Sequence, residues 1–388
     1  MLPSDAPNPF TPGPGLLRRH ALKLVASAII TSAILYTLKK AGLQLWPPRS
    51  AFDHVKWWTV PAYLGTFLGV SYFRAARWRY LLRSFADVPL RRILSASWVG
   101  FAAILIFPFR MGEVVRPYMI REKGKVSLTR ATGSVVGERV IDGLLLTVVL
   151  AVALVVVPTR NPLDSKIAGL PDVTVAYVRH ASFVMLGVFV AAFITIAFFY
   201  VSRRIAELIV QKTLGLVSKK LAQKVSETAI KLAEGLHFLG RKEDAIPFLA
   251  ETIAYWTLNA LGMWLLAYGC GVKHSDGTYI TFGESCALMG TLGVTILIPG
   301  PPFLLGTFQA GIIAGMGMYF EKDILEGPGI AFASLLFAIQ FLWTALSGGV
   351  SLLARPANSM GSAQDEDDDA VQQKSAKGAL DGAGATES

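Results

Sequence analysis

Four stretches of this sequence, residues 21–38, 180–201, 247–269 and 330–353, are almost unbroken runs of apolar side chains. A bilayer core is crossed by about 20 such residues in one helix. A soluble domain buries as much apolar surface, but it scatters that surface along amphipathic elements and does not gather it into blocks. Charged residues make up 16% of the chain, against about 25% in soluble proteins. The blocks therefore predict an all-α polytopic membrane protein.

The formal net charge is +10, and the segment Pro356–Ser388 alone holds seven acids and two lysines, so the rest is more basic still. In so apolar a chain that excess reads as cytoplasmic loops facing anionic headgroups, not as a nucleic-acid surface. Two cysteines, Cys270 and Cys286, build no disulfide framework, and no metal-ligand spacing accompanies them. The five histidines form no HExxH pattern, and Gly124-Lys125 lacks the glycine loop of a nucleotide-binding motif. No cofactor and no metal are expected. Glu113, Glu138 and Asp142 offer acid/base groups, but no nucleophile–base pair stands beside them, and the chain does not read as an enzyme.

Residues 1–17, rich in Pro and Gly, and the acidic tail 356–388 read as disordered. Between them, 18–355 reads as one transmembrane domain. Its elements are 21–38, 58–73, 93–109 continuing through 110–130, 131–157, 180–201, 247–269, 282–299 continuing as 303–320, and 330–353. Arg18, Arg19 and Lys23 place the first end in the cytoplasm, as expected for a retained span longer than a signal-peptide core. The segments 74–92 and 203–246, with six and nine Lys and Arg, then become cytoplasmic loops. Loop 39–57, with four, runs mildly against this orientation. The localisation expected is a bacterial inner membrane.

Two elements break at proline. One runs Ile104-Leu105-Ile106-Phe107-Pro108, the other Thr295-Ile296-Leu297-Ile298-Pro299, and in each a second helix follows. Proline removes a ladder donor, and a break at membrane depth is tolerated only within protein or beside water. Both are expected to be re-entrant or broken-helix elements with their tips at membrane depth. The order span, span, broken element, span then occurs twice, over about 18–157 and about 180–355. With three crossings per half, the second half is inverted relative to the first, giving about six full spans and two broken elements in an inverted repeat. Within 203–246, Leu221, Val225, Ala229, Leu232 and Leu236 recur at helical spacing among lysines. That amphipathic segment suits either the membrane surface or packing against the cytoplasmic loops.

Two charged clusters stand out. Arg110, Glu113 and Arg116 fall at i, i+3 and i+6, an acid between two bases. The spacing fits a surface ladder, but the preceding apolar run and proline put it at a depth where ionised groups are costly and face a cavity. Gly112 between them permits a close approach of backbone or lipid. Glu138, Arg139 and Asp142 share the first turns of 131–157; they fit an interfacial position or a cavity wall equally well. The spacing of Gly133 and Gly137 permits a close helix contact there. Arg74 and Arg77 with Trp78 read first as an interfacial anchor and second as a headgroup contact. Glu251, Tyr255 and Asn259 form a polar stripe in 247–269. Gly65-xxx-Gly69 and Gly311-xxx-Gly315 read as helix-packing notches.

The run Phe107-Pro108-Phe109-Arg110-Met111-Gly112-Glu113-Val114-Val115-Arg116-Pro117, followed by Gly137-Glu138-Arg139-Val140-Ile141-Asp142, resembles the lysylphosphatidylglycerol synthase transmembrane-region family. The family pattern is Pro-x-Arg-x-Gly-Glu-x-x-Arg-Pro, then Glu-Arg-x-x-Asp. The likeness extends over about 15–355. It implies a flippase-like fold that moves lipid between leaflets, with Arg110, Gly112, Glu113, Arg116, Glu138, Arg139, Asp142 and Gln309 lining the substrate path. Two departures stand out. Where the family usually carries Pro-Gly-Gly-x-Gly-x-x-Glu, this chain has Pro299-Gly300-Pro301-Pro302 and then Gly306-Thr307-Phe308-Gln309. Aminoacyl-transfer chemistry is also not expected in the short acidic stretch after Ala357. The function expected is translocation of an anionic phospholipid or a lipid-linked precursor, passively or coupled to an ion. An accessory subunit presenting lipid to a separate glycosyltransferase or lipid-modifying enzyme is the other reading. Partners are membrane lipids with anionic headgroups, a lipid-modifying enzyme or a second copy, and no nucleic acid.

Overall fold

The computed structural model describes residues 47–106, 112–122, 126–160, 237–297 and 307–354, with 183–191 and a few single positions elsewhere. The expected first span 21–38, the break residues 107–111 and 298–303, most of the amphipathic segment 203–246 and both chain ends lie outside the described residues. Among the described residues the secondary structure is helical, apart from two isolated bridges.

The helices are α1, Thr59–Ala76; α2, Trp78–Leu82; α3, Leu90–Ile106; α4, Val115–Ile120; α5, Leu128–Val156; α6, Lys242–Gly269; α7, Phe282–Leu297; α8, Thr307–Met316; and α9, Ile330–Leu353. Their ends follow local chemistry. Glu243 and Asp244 sit in the first turn of α6, where the helix dipole favours acids. The α6 terminus is closed by Gly271 at φ 79°, the left-handed position that glycine takes cheaply. Thr281 and Glu284 form a reciprocal capping box on α7: Thr281 N–H donates to Glu284 Oε2 at 2.7 Å, and Glu284 N–H donates to Thr281 Oγ1 at 3.2 Å. Before α9 the chain makes a π-helical turn, Leu325–Gly329, around Pro328.

The basic stretch read as a loop from residue 74 is helical to Leu82 and interrupted only at Arg77. Its apolar residues explain why. Trp78, Leu81 and Leu82 are fully buried, and they pin α2 beneath α5 and α6 with Ile93, Val135 and Phe248.

Both broken elements are helical hairpins. In the first, Gly112 lies on the backbone of Ala103 and Ile104, and Gly100 lies on the Arg116 side chain. In the second, Gly311 lies on Thr295, and Gly315 on Thr291 and Leu288. Position numbers fall on one arm as they rise on the other, so the arms are antiparallel. Leu304, between the arms of the second hairpin, has φ 54°, a backbone region sparsely used by side-chain-bearing residues.

The packing between the two stretches of chain is reciprocal. α1 and α6 run antiparallel, with Gly69 against Leu258, Gly262 against Thr66 and Gly269 against Thr59. α5 packs on α7 of the second hairpin through Leu146 and Leu150 against Gly293 and Gly290. α9 packs on α3 of the first hairpin through Gly348 against Ala102. Two of the described helical stretches, Leu128–Val156 and Lys322–Leu353, are long and apolar enough to cross a bilayer by themselves. Val148, Val152 and Val155 on α5 and Leu342, Leu346 and Val350 on α9 are exposed. A water-facing surface does not carry such ridges without a partner.

Candidate functional site

The two charged clusters meet. α4 brings Arg116 against α5, where its Nη1 donates to Glu138 Oε2 at 3.1 Å. Arg116 is only 1% exposed and Glu138 is fully buried. Instead of extending the ladder to Glu113, Arg116 turns across to the second cluster. Arg139 closes the network on the same helix: its Nη2 lies 3.0 Å from Glu138 Oε1, and its Nη1 3.3 Å from Asp142 Oδ2. Asp142 is 6% exposed. Both carboxylates are thus enclosed by protein.

Arg77 holds the centre, a role the sequence pattern does not show. It is 0% exposed. Its Nη2 donates to Glu138 Oε1 at 3.0 Å and to Asp142 Oδ2 at 2.6 Å, and its Nη1 to the Thr252 hydroxyl of α6 at 3.0 Å. The planar guanidinium fork suits this, because two carboxylates and a hydroxyl are reached at once from a rigid plane. Glu138 accepts from Arg77, Arg116 and Arg139 together. Removing one partner from such a buried set strands the others, at a cost of about 3–5 kcal/mol.

Aromatic rings wall the network. The Arg116 guanidinium carbon is 4.4 Å from the Trp78 ring centroid and 5.1 Å from that of Phe101. Arg77 lies 4.9 Å from Tyr255. Trp78 is fixed by its indole N–H, which donates to the Ser134 hydroxyl at 2.9 Å. Ser134 lies between the buried Gly133 and Gly137 in the sequence of α5, and its bond to Trp78 brings α2 against this stretch. Arg74, on α1 one turn before Arg77, stacks 4.3 Å from the centroid of Phe101. Of the polar stripe on α6, Glu251 pairs with Arg79 and with the Tyr80 hydroxyl, fastening α2.

The other predicted residues fall as follows. Gly112 is buried, and what approaches it is backbone: a Cβ would run into the main chain of Ala103 and Ile104. Glu113 follows it in a short turn before α4 and lies within electrostatic range of Arg139. Gln309 is half-buried on α8, which packs on α7 and α9. Arg110 lies outside the described residues. Among the described residues no group of acids, histidines and cysteines has metal-binding geometry.

At the opposite end of α1 the chemistry is of another kind. Lys56 Nζ lies 3.9 Å from the Tyr268 ring centroid and donates to the Tyr279 hydroxyl at 3.1 Å. Contact with Tyr268 and then Tyr279 holds the Lys56 ammonium above its ordinary range, and Lys56 in turn draws the Tyr279 phenol down. His274 Nε2 sits 2.9 Å from the capping Glu284 Oε1, and the ring stacks on Phe320. These contacts tie loops to helix ends and build no second charged interior.

Comparison with known families finds that the one described as "Lysylphosphatidylglycerol synthase TM region" matches residues 23–348. Comparisons with curated proteins and with solved structures find no match.

Proposed function

Because this chain belongs to the lysylphosphatidylglycerol synthase transmembrane-region family, we propose that it is a lipid translocase, carrying an anionic phospholipid or lipid-linked precursor between the leaflets of a bacterial inner membrane. Membership supports a membrane, lipid-related role. The single observation that carries the finer reading is the buried network in which Arg77, Arg116 and Arg139 face Glu138 and Asp142. Ionised groups inside a membrane protein are expensive, and they are retained where they serve a polar path. Arginine is the natural donor to a phosphate oxygen. The two carboxylates balance most of that positive charge, so an arriving anion binds without being held irreversibly.

The reciprocal packing supports the inverted arrangement. Each hairpin rests against the closing helix of the other stretch, and the two central helices run antiparallel, the relation an inverted repeat requires. Translocation follows from rocking one hairpin-and-span unit against the other. The N-terminus lies in the cytoplasm in this reading. Arg110 is a headgroup contact by its place in the sequence pattern, and Gln309 lines the path from the second hairpin. The chain carries no nucleotide-triphosphatase motif, and movement is passive or ion-coupled.

The test is reconstitution into vesicles containing tail-labelled phosphatidylglycerol, with a membrane-impermeant quencher outside. The expected result is a rise in quenchable label above the outer-leaflet share, reduced in Glu138→Gln. If no anionic phospholipid or lipid-linked precursor moves faster than in empty vesicles, the translocase reading is overturned.

A further inference from the structure

The network above is not electrically closed. Arg74, Arg77, Arg116 and Arg139 gather around Glu138 and Asp142, with Glu113 within electrostatic range of Arg139; four cations thus face three acids among the described residues, and the surplus is uneven. Arg77 and Arg139 each reach both carboxylates. Arg116 reaches only Glu138, through Nη1, while its Nη2 and Nε are buried with no hydrogen-bond partner. Arg74 pairs with no carboxylate among the described residues, and its Nε is likewise buried and unpartnered.

The two underused guanidiniums share one platform, with their carbons 4.3 and 5.1 Å from the centroid of Phe101. A guanidinium stacked on a ring spends its face on the aromatic cloud and leaves its N–H groups free at the edge. Gly100, next to Phe101, makes room for this: the Arg116 stem occupies the space a side chain there would fill. Arg116 is buried and Arg74 partly so, and buried donors left unpaired on a charged group are what desolvation penalises most. An anion bearing several acceptor oxygens would satisfy it.

We propose that Arg74 and Arg116, stacked on Phe101, form a subsite for a phosphate-ester anion, while Glu138 and Asp142 serve as internal counter-ions that hold Arg77 and Arg139 in place. This rests on the lipid reading above and divides labour within the cluster. The sequence reading set Arg110 and Arg116 along the substrate path, and Arg74 first as an interfacial anchor and second as a headgroup contact. Phosphate oxygens accept the in-plane donors of both guanidiniums, and the acyl chains need not enter.

Arg74 is the informative position, because replacing it strands no carboxylate and the fold is expected to survive. The full chain in nanodiscs is offered phosphatidylglycerol or diacylglycerol, the latter lacking phosphate, and retained lipid is read by native mass spectrometry. Wild type is expected to retain phosphatidylglycerol selectively. Losing a charge-assisted hydrogen-bonding partner corresponds to a drop of about tenfold or more for Arg74→Gln, with partial recovery in Arg74→Lys. Arg92→Gln removes equal charge from a half-exposed arginine paired with Glu122 and is expected to bind as wild type. Equal losses in Arg74→Gln and Arg92→Gln, or none in Arg74→Gln, overturn the subsite. A second arm measures inorganic phosphate by equilibrium dialysis. Arg74-dependent binding of the free ion assigns the site to phosphate itself, and Arg74-dependent lipid binding without it assigns the site to the ester in a bilayer. Arg74-independence in both arms overturns the proposal. Transport in the vesicle assay with unchanged lipid retention in Arg74→Gln would sink the subsite alone. Arg74-dependent retention without transport would sink the translocase alone.

Discussion

The two hairpins share a backbone plan and differ in chemistry. Each folds an apolar helix back on itself with glycine against the facing arm, and each leans on the closing helix of the other stretch. Yet the first carries Arg116 into a network of arginines and acids, while from Ser285 to Phe320 the second has no Asp, Glu, Lys, Arg or His. Its arms touch through Thr291 and Thr295, whose hydroxyls are turned back on their own helix. A hairpin in a membrane thus needs glycine and small side chains for its geometry, and charge only for what it handles. Among the described residues the arginine network belongs to the first hairpin and the helices packed on it.

The sharpest way to break that contrast is to empty the charged side. Glu138→Ala leaves Arg77, Arg116 and Arg139 without their shared acceptor. It is expected to destabilise the protein by about 3–5 kcal/mol, read as a lowered midpoint of thermal unfolding in detergent. The matched change in the second hairpin, Thr295→Val, removes only a hydroxyl bonded to the Thr291 carbonyl and is expected to shift the midpoint far less. Equal shifts would mean that the ion network adds nothing beyond ordinary packing.

A smaller effect separates the hairpins by what their glycines face. A methyl at Gly112 meets the main chain of Ala103 and Ile104, which cannot swing aside, whereas a methyl at Gly311 meets the Thr295 side chain. Overpacking costs about 1–3 kcal/mol. Gly112→Ala is expected at the top of that range and Gly311→Ala near the bottom, both by thermal unfolding. The reverse order would mean that the first hairpin is the looser of the two.

How much of this was legible in the sequence varied with the kind of signal. Proline after an apolar run, with a helix resuming, gave both hairpins, because a broken ladder at that depth has few other homes. Arg116, Glu138, Arg139 and Asp142 stood out as charges in apolar surroundings, but spacing alone does not say whether two helices meet. The 3.1 Å contact between Arg116 and Glu138 is a tertiary fact. Arg77 was hidden because a run of arginines beside a tryptophan looks the same whether it coats a membrane surface or folds beneath it. The available signal was the interleaving of Trp78, Leu81 and Leu82 with those arginines, since an exposed anchor would leave those three without cover. Thr252 gave no signal at all: a lone threonine in an apolar helix most often bonds its own backbone, as this one also does to the Phe248 carbonyl.

The smallest expected effect lies outside both hairpins, where α1 meets α9, and it asks whether the scaffold tolerates a neutral polar pair as readily as an apolar one. Gln340 Nε2 donates to the hydroxyl of the buried Tyr63 at 2.9 Å. Gln340→Leu leaves that hydroxyl without its donor, and the loss of one partner from a buried neutral pair is expected to cost about 1 kcal/mol. Tyr63→Phe removes the other partner, while Gln340 is half-buried and pays less for losing its acceptor. With both replaced, nothing polar is left unsatisfied, and the double variant is expected to recover most of the Gln340→Leu loss. A double-mutant cycle by thermal unfolding reads this directly. Additive losses would show that the pair is not coupled and that shape alone holds α1 against α9. Recovery would place this contact with the Thr291 and Thr295 stretch of the second hairpin, where polarity can be exchanged for packing, and set both apart from the arginine network, where it cannot.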